Sequence, residues 1–125
     1  MKDTDTEIQQ STRPVKATYD YVTLGSKTRM GGEVITASTS LEIHDLRVAC
    51  VGDRVRYPDG KESEIISGAG FAATYKGLPI AIVGSATDNG DTVTGSLQNL
   101  AQVVEYADDG IPGLLQPGYR VESEM

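Results

Sequence analysis

Tryptophan is absent from this 125-residue chain, and phenylalanine (Phe71), cysteine (Cys50) and histidine (His44) occur once each. A single cysteine excludes an intramolecular disulfide framework. With a hydrophobic fraction of 38%, the interior must be a small core of Val, Ile, Leu and Ala, too little material for a deep substrate pocket. No apolar run approaches the roughly 20 residues that span a bilayer. The opening Met1-Lys2-Asp3-Thr4-Asp5-Thr6-Glu7 has no apolar stretch of the kind that marks a secretory signal. The chain is therefore expected to be made and folded in the cytoplasm, and any export to use a route that reads no N-terminal signal. The net charge is −7 and no basic stripe is present, which argues against binding nucleic acid by phosphate neutralisation. The acidic excess gathers at the end, where residues 98–125 set Arg120 alone against five carboxylates.

What the chain does have is a pattern that occurs three times. Gly25-Ser26-Lys27-Thr28 leads to Val34-Ile35-Thr36-Ala37-Ser38, Gly52-Asp53-Arg54-Val55 to Ile65-Ile66-Ser67-Gly68-Ala69, and Gly84-Ser85-Ala86-Thr87 to Thr92-Val93-Thr94-Gly95-Ser96. Each copy is a glycine turn, a polar loop and a short β-prone run closed by small residues. Three such copies imply three similar β units about a pseudo-threefold axis, and a monomer with that symmetry is suited to docking on a trimer.

Residues 1–13 are polar and read as a flexible segment; residues 14–104 read as one β domain with its repeat core at 24–97, and residues 105–125 as an acidic arm. Val15–Leu24 alternates as a strand, and Glu33–Thr36 is a short one. Ser40–His44 and Val48–Val51 form a hairpin around His44–Arg47, with Leu41 and Ile43 on one face. Ala72–Tyr75 and Ile80–Val83 repeat the plan around Lys76–Pro79, where Gly77 suits a positive-φ turn. Tyr57-Pro58-Asp59-Gly60 and Asp88-Asn89-Gly90-Asp91 are turn sequences. Leu97, Leu100 and Val104 fit a helix face, but Val103-Val104 favours strand or irregular structure. Beyond Asp108-Asp109-Gly110-Ile111-Pro112-Gly113 the chain reads as an extended arm. The fold class is all-β, built from short hairpins.

Arg47-Val48-Ala49-Cys50-Val51-Gly52-Asp53 and Leu78-Pro79-Ile80-Ala81-Ile82-Val83-Gly84 resemble the Pro-Ala-Ala-Arg segment, followed by Val-Gly-Asp, that names the PAAR-repeat family. Gly25-Ser26-Lys27-Thr28-Arg29-Met30-Gly31-Gly32-Glu33-Val34 is similar to that family's opening Gly-Asp-Lys-Thr-x-His-Gly-Gly-x-Val. The resemblance covers about residues 24–97. It implies a small cone that caps the trimeric VgrG spike of a type VI secretion system, one copy per trimer, and sharpens it for puncturing membranes. It also implies a non-enzymatic protein, a monomer on its own, that waits in the cytoplasm and is then secreted or delivered into a target cell. Terminal extensions in the family carry or recruit effectors or chaperones, which makes the arm 105–125 the candidate here. Docking is expected at the base through strand edges and the runs Val34-Ile35, Ile65-Ile66 and Thr92-Val93.

The family holds zinc near its apex with His and Cys, and here those positions differ. Met30 stands where a His is expected, Tyr57-Pro58-Asp59-Gly60 where Cys-Pro-x-His is expected, and Asn89 lies in the turn where a Cys is expected. Tetrahedral zinc prefers thiolate and imidazole ligands, and one His with one Cys does not complete a set. His44 is expected exposed at a turn and Cys50 to be a small packing residue, so no cofactor or metal is expected. A structural zinc contributes on the order of 10–16 kcal/mol of apparent binding free energy; burying Met30 and Tyr57 would return roughly 1.5–3 kcal/mol each.

Other classes fare worse. Asp53, Asp59, Asp88 and Asp91 offer carboxylates for acid–base chemistry, but acidic turn residues in an acidic chain are expected to be solvated. Asp88, Asn89 and Asp91 fall short of an EF-hand ligand array. No phosphate-cradling Gly-Lys-Ser/Thr follows Gly25 or Gly31-Gly32. A phage tail-spike tip, or a stand-alone β-rich adaptor, remains as the alternative.

Overall fold

A computed structural model describes residues 13–121. The expected flexible segment lies outside the described residues except for Arg13, and so do Glu122 and Glu124 of the acidic end. Among the described residues there are nine short strands: β1 (Val15–Asp20), β2 (Glu33–Val34), β3 (Glu42–Ile43), β4 (Leu46–Arg47), β5 (Arg54–Arg56), β6 (Glu62–Glu64), β7 (Thr74–Tyr75), β8 (Leu78–Pro79) and β9 (Gln102–Tyr106). Pairing is antiparallel throughout, in sheets β1-β9, β2-β5-β6, β3-β4 and β7-β8.

The threefold repeat is written in the backbone. Val22 N–H donates to the Ala81 carbonyl, Ala81 N–H to Ala49, and Ala49 N–H back to Val22, each at 2.9 Å, closing a ring. The same cycle recurs for Leu24 to Arg47, Val51 to Pro79 and Val83 to Asp20, and for Ile35 to Arg54, Ile66 to Ala86 and Thr94 to Lys27. Within each copy the glycine amide donates to the end of its own β run: Gly25 to Val34, Gly52 to Ile65 and Gly84 to Val93. The glycines have φ between 87° and 106°, a region that costs an L side chain about 1–2 kcal/mol.

Alternation about the ring sorts the core into layers. Val22, Ala49 and Ala81 point one way and join Val34, Val55, Ile65 and Val93, all 0–1% exposed, with Tyr57 packed against them. The neighbouring positions Val48 and Ile80 point the other way with Cys50, under Ile43, Tyr75 and Leu78 of the β3–β4 and β7–β8 hairpins. A third cluster, Ala69, Ile82 and Val103, is covered by Ile111, Leu114 and Leu115.

Each copy leaves through a hairpin that feeds the next. The first two are β3–β4 and β7–β8. The third is the β1–β9 pair, in which the two ends of the domain meet as if joined by a turn. Both covalent hairpins are tighter than the sequence suggests. The first turn is His44-Asp45 (φ 54° and 66°), so the return strand starts at Leu46 instead of Val48. Positive φ at both turn residues matches the strand twist in a two-residue loop, and Asp tolerates that conformation. The second turn, Lys76-Gly77, has φ 53° and 84°. Gly70–Ala72 forms a 3-10 turn, so the strand expected from Ala72 starts at Thr74.

Beyond Ser96, the strand reading is the one observed: Val103 and Val104 lie in β9, while Leu97 and Leu100 are 56% and 68% exposed. The loop between is closed by Gln98, whose Nε2 donates to the Tyr21 and Ala101 carbonyls and whose Oε1 accepts from the Leu100 and Ala101 amides. The expected arm boundary at 104/105 runs through β9. Residues 107–121 do not project: the Phe71 amide donates to Pro112, and the Leu115, Gly118 and Val121 amides donate to Gly68, Ile66 and Gly77. Close approach requires glycine here, because a Cβ at Gly70 would lie 2.6 Å from Leu114 N and one at Gly77 2.5 Å from Val121 O.

Candidate functional site

Three tight turns end the three repeat hairpins, and the chain brings them to one place. Gly31 N–H donates to Thr28 O (3.1 Å), Gly60 N–H to Tyr57 O (2.8 Å) and Gly90 N–H to Thr87 O (3.2 Å), with glycine φ of 87°, 88° and 88°. The second hairpin is longer than the other two, which puts Tyr57 at the start of its turn and lays the ring across the other two copies. Met30, Tyr57 and Asn89, predicted from sequence to share an apex, line one shallow surface hollow together with Pro58, Asp59 and Lys61. Arg29 adds a clasp from the first turn to the third, donating to the Gly90 carbonyl at 3.0 Å.

The centre of this end is Asp91, 1% exposed. Its Oδ2 accepts from the Tyr57 hydroxyl at 2.7 Å, and its Oδ1 from the Met30 amide at 3.0 Å and the Thr92 amide at 2.8 Å. The Thr28 hydroxyl lies close enough to favour its charged form. Because Tyr57 gives its proton to Asp91, Ser63 Oγ is the donor in the 3.0 Å contact with the phenol oxygen. Burial pushes the Asp91 carboxyl up, but the Thr28 and Tyr57 hydroxyls and the Thr92 and Met30 amides outweigh it and hold the group below its ordinary value.

A cation does not fit this arrangement. The groups that converge are N–H and O–H donors aimed at one carboxylate, which is the polarity of an anion site. The thioether of Met30, the phenol of Tyr57 and the amide of Asn89 are poor substitutes for thiolate and imidazole. Among the described residues no group of three or more His, Cys, Asp or Glu is placed to hold a metal. Cys50 is buried in the second cluster, with its thiol pushed up to about 12 by burial and by Asp53, while His44 sits in the exposed β3–β4 turn. Met30 is 50% exposed, so the stabilisation expected from burying it is not obtained, whereas Tyr57 both packs against the first cluster and bonds through its hydroxyl.

The docking candidates divide. Val34, Ile65 and Val93 are 0–1% exposed in the first cluster, so their side chains are core and unavailable to a partner. Ile35, Ile66 and Thr92 are half-buried. The hydrogen-bond cycle also corrects the third run by one residue: Thr94, not Val93, is the equivalent of Ile35 and Ile66. The carboxylates weighed for catalysis serve the backbone. Asp53, 1% exposed, accepts from Thr36 Oγ1, Ser38 N and Oγ, and Cys50 N. It occupies the place of Ser26 and Ser85, which accept from Thr23 N and Ile82 N. Asp59 and Asp88 accept from the Lys61 and Glu64 amides.

The family model described as PAAR motif matches residues 24–95, more than half of the chain, and spans all three copies. The chain belongs to the PAAR-motif family. It is a β-rich member of a structural family, and the matched span begins just before the first glycine turn and ends after the third β run. No curated protein matches the chain.

Proposed function

We propose that this chain is a non-enzymatic tip protein that caps a trimeric VgrG-type spike, one copy per trimer. The observation that carries this reading is the closed hydrogen-bond ring of Val22, Ala49 and Ala81, by which one polypeptide presents three near-equivalent units to a threefold partner. The three turns form the leading end. The end away from them, built from β3–β4, β7–β8 and the β1–β9 pair, faces the spike, where backbone edges supply contacts as in β-augmentation. Of the apolar docking candidates only Ile35 and Ile66 are not fully buried, and the Ile66 carbonyl is already taken by the Gly118 amide, so Ile35 is the one left open. The protein waits in the cytoplasm, travels on the spike through the target membrane and is delivered with it. The acidic segment 105–125, whose Val121 amide donates to the Gly77 carbonyl, is the candidate for recruiting an effector or chaperone.

Native mass spectrometry of the chain mixed with a VgrG-type trimer from the same genome tests the reading. One copy per trimer is the expected result. Free chain beside intact trimer overturns it and favours a stand-alone adaptor.

A further inference from the structure

We propose that the tip is cross-braced by a buried carboxylate in place of a metal ion: Asp91, held by donors from all three repeat copies, ties the three turns together. The partners of Asp91 come from separate units. Met30 N–H belongs to the first copy, the Tyr57 hydroxyl to the second, and Thr92 N–H to the third, which also supplies Asp91 itself. A metal at an apex links separate chain segments by collecting their lone pairs; here the sign is reversed, and one anion collects their protons. Charge-assisted bonds are the stronger kind and are geometrically selective.

A second shell fixes the acceptor and its donors. Thr87 Oγ1 accepts from Asp91 N–H at 3.1 Å, Thr28 Oγ1 accepts from Gly32 N–H at 2.8 Å, and Ser63 donates to the Tyr57 oxygen. The glycine at 32 is part of the design, because a Cβ there would lie 2.7 Å from the Tyr57 ring. Among the described residues no buried side-chain polar atom lacks a partner, so the cluster leaves no lone pair turned to an empty centre. The tip therefore keeps its shape without a cofactor: Tyr57 reaches the Asp91 carboxylate through its hydroxyl, Asn89 Oδ1 accepts from the Asp91 amide at 3.3 Å, and Met30 contributes its main-chain amide.

The test uses the full chain, expressed with added zinc, and is independent of spike binding, so it can fail while the capping reading stands. Metal content is measured by mass spectrometry, and thermal and urea unfolding are followed with and without a strong chelator. No stoichiometric metal and an unchanged midpoint are expected. In Tyr57→Phe the ring is kept and the hydroxyl's bonds to Asp91, Ser63 and Asn89 are lost, and the unfolding equilibrium should shift by roughly tenfold to a hundredfold. Asp91→Asn should be as costly or more so, and the double variant less than additive, because the two groups touch. One metal per chain whose removal lowers the midpoint would overturn the proposal. So would a Tyr57→Phe chain as stable as the parent, which keeps the test decisive even if Asp91→Asn does not fold.

Discussion

Replacing Gly70 by Ala asks whether the C-terminal segment is part of the fold. Gly70 has φ 63°, and a Cβ there would meet the backbone at Gly113 and Leu114, both at 2.6 Å. The obstacle is main chain, which cannot swing aside as a side chain can. Gly31 is the control, since it has φ 87° but nothing within 4 Å of a built Cβ. Gly31→Ala should therefore cost only the left-handed conformation, about 1–2 kcal/mol. Gly70→Ala carries that cost and also breaks the Phe71–Pro112 and Leu115–Gly68 hydrogen bonds, at about 1 kcal/mol each. The total is about 3–4 kcal/mol.

Urea unfolding gives the two stability losses, and amide exchange at Leu115 and Gly118 reports whether the segment has lifted. The expected pattern is a larger loss for Gly70→Ala together with fast exchange at those amides, while the Gly31→Ala chain keeps them protected. Equal losses with Leu115 still protected would refute the close approach and return the segment to a loosely attached arm.

Core and surface roles within the β runs separate cleanly. Ile65→Ala should destabilise by about 2–5 kcal/mol, since Ile65 is fully buried, whereas Ile35→Ala should cost clearly less in the same unfolding assay. Acid should weaken the tip. Asp91 is held below its ordinary value, so the stability it contributes is present above the unfolded-state value, near 3.9, and is lost as pH falls through the lower folded value. Urea midpoints of the parent and Asp91→Asn chains should therefore differ most near neutral pH and converge on acidification; a constant gap would argue against an ionised Asp91 as acceptor.

The parts of this fold that sequence reveals are those where backbone geometry demands a residue type. The glycine turns recur because φ near 90° excludes a side chain, and the turns at Gly31, Gly60 and Gly90 can be read for the same reason. The β3–β4 turn is misread by two residues because His44 and Asp45 adopt positive φ without a glycine to announce it. The third repeat slips by one because Thr92-Val93-Thr94 has a single apolar position to align against Val34-Ile35 and Ile65-Ile66. The packing of 107–121 is carried by main-chain bonds and by three half-buried apolar residues, Ile111, Leu114 and Leu115, scattered through a turn-rich stretch with no period. Asp91 looks like any acidic turn residue until the fold brings Tyr57 to it from 34 positions away.

That same C-terminal segment constrains how a threefold partner can be met. Ile35, Ile66 and Thr94 are equivalent in the hydrogen-bond cycle, but the Ile66 carbonyl is already taken by the Gly118 amide and the Gly68 carbonyl by Leu115. The segment thus covers one of three matching edges and leaves the chain asymmetric on its flank. A symmetric trimer docking along those edges would find two alike and one blocked, and would have to displace two backbone hydrogen bonds to reach the third. The end formed by β3–β4, β7–β8 and β1–β9 carries three antiparallel pairs of strands, and the segment meets one of them, at the Lys76-Gly77 turn, through Val121. Capping through that end would leave the Gly118 and Leu115 hydrogen bonds in place, and a threefold partner would have to accommodate only the Val121 contact at the Gly77 turn.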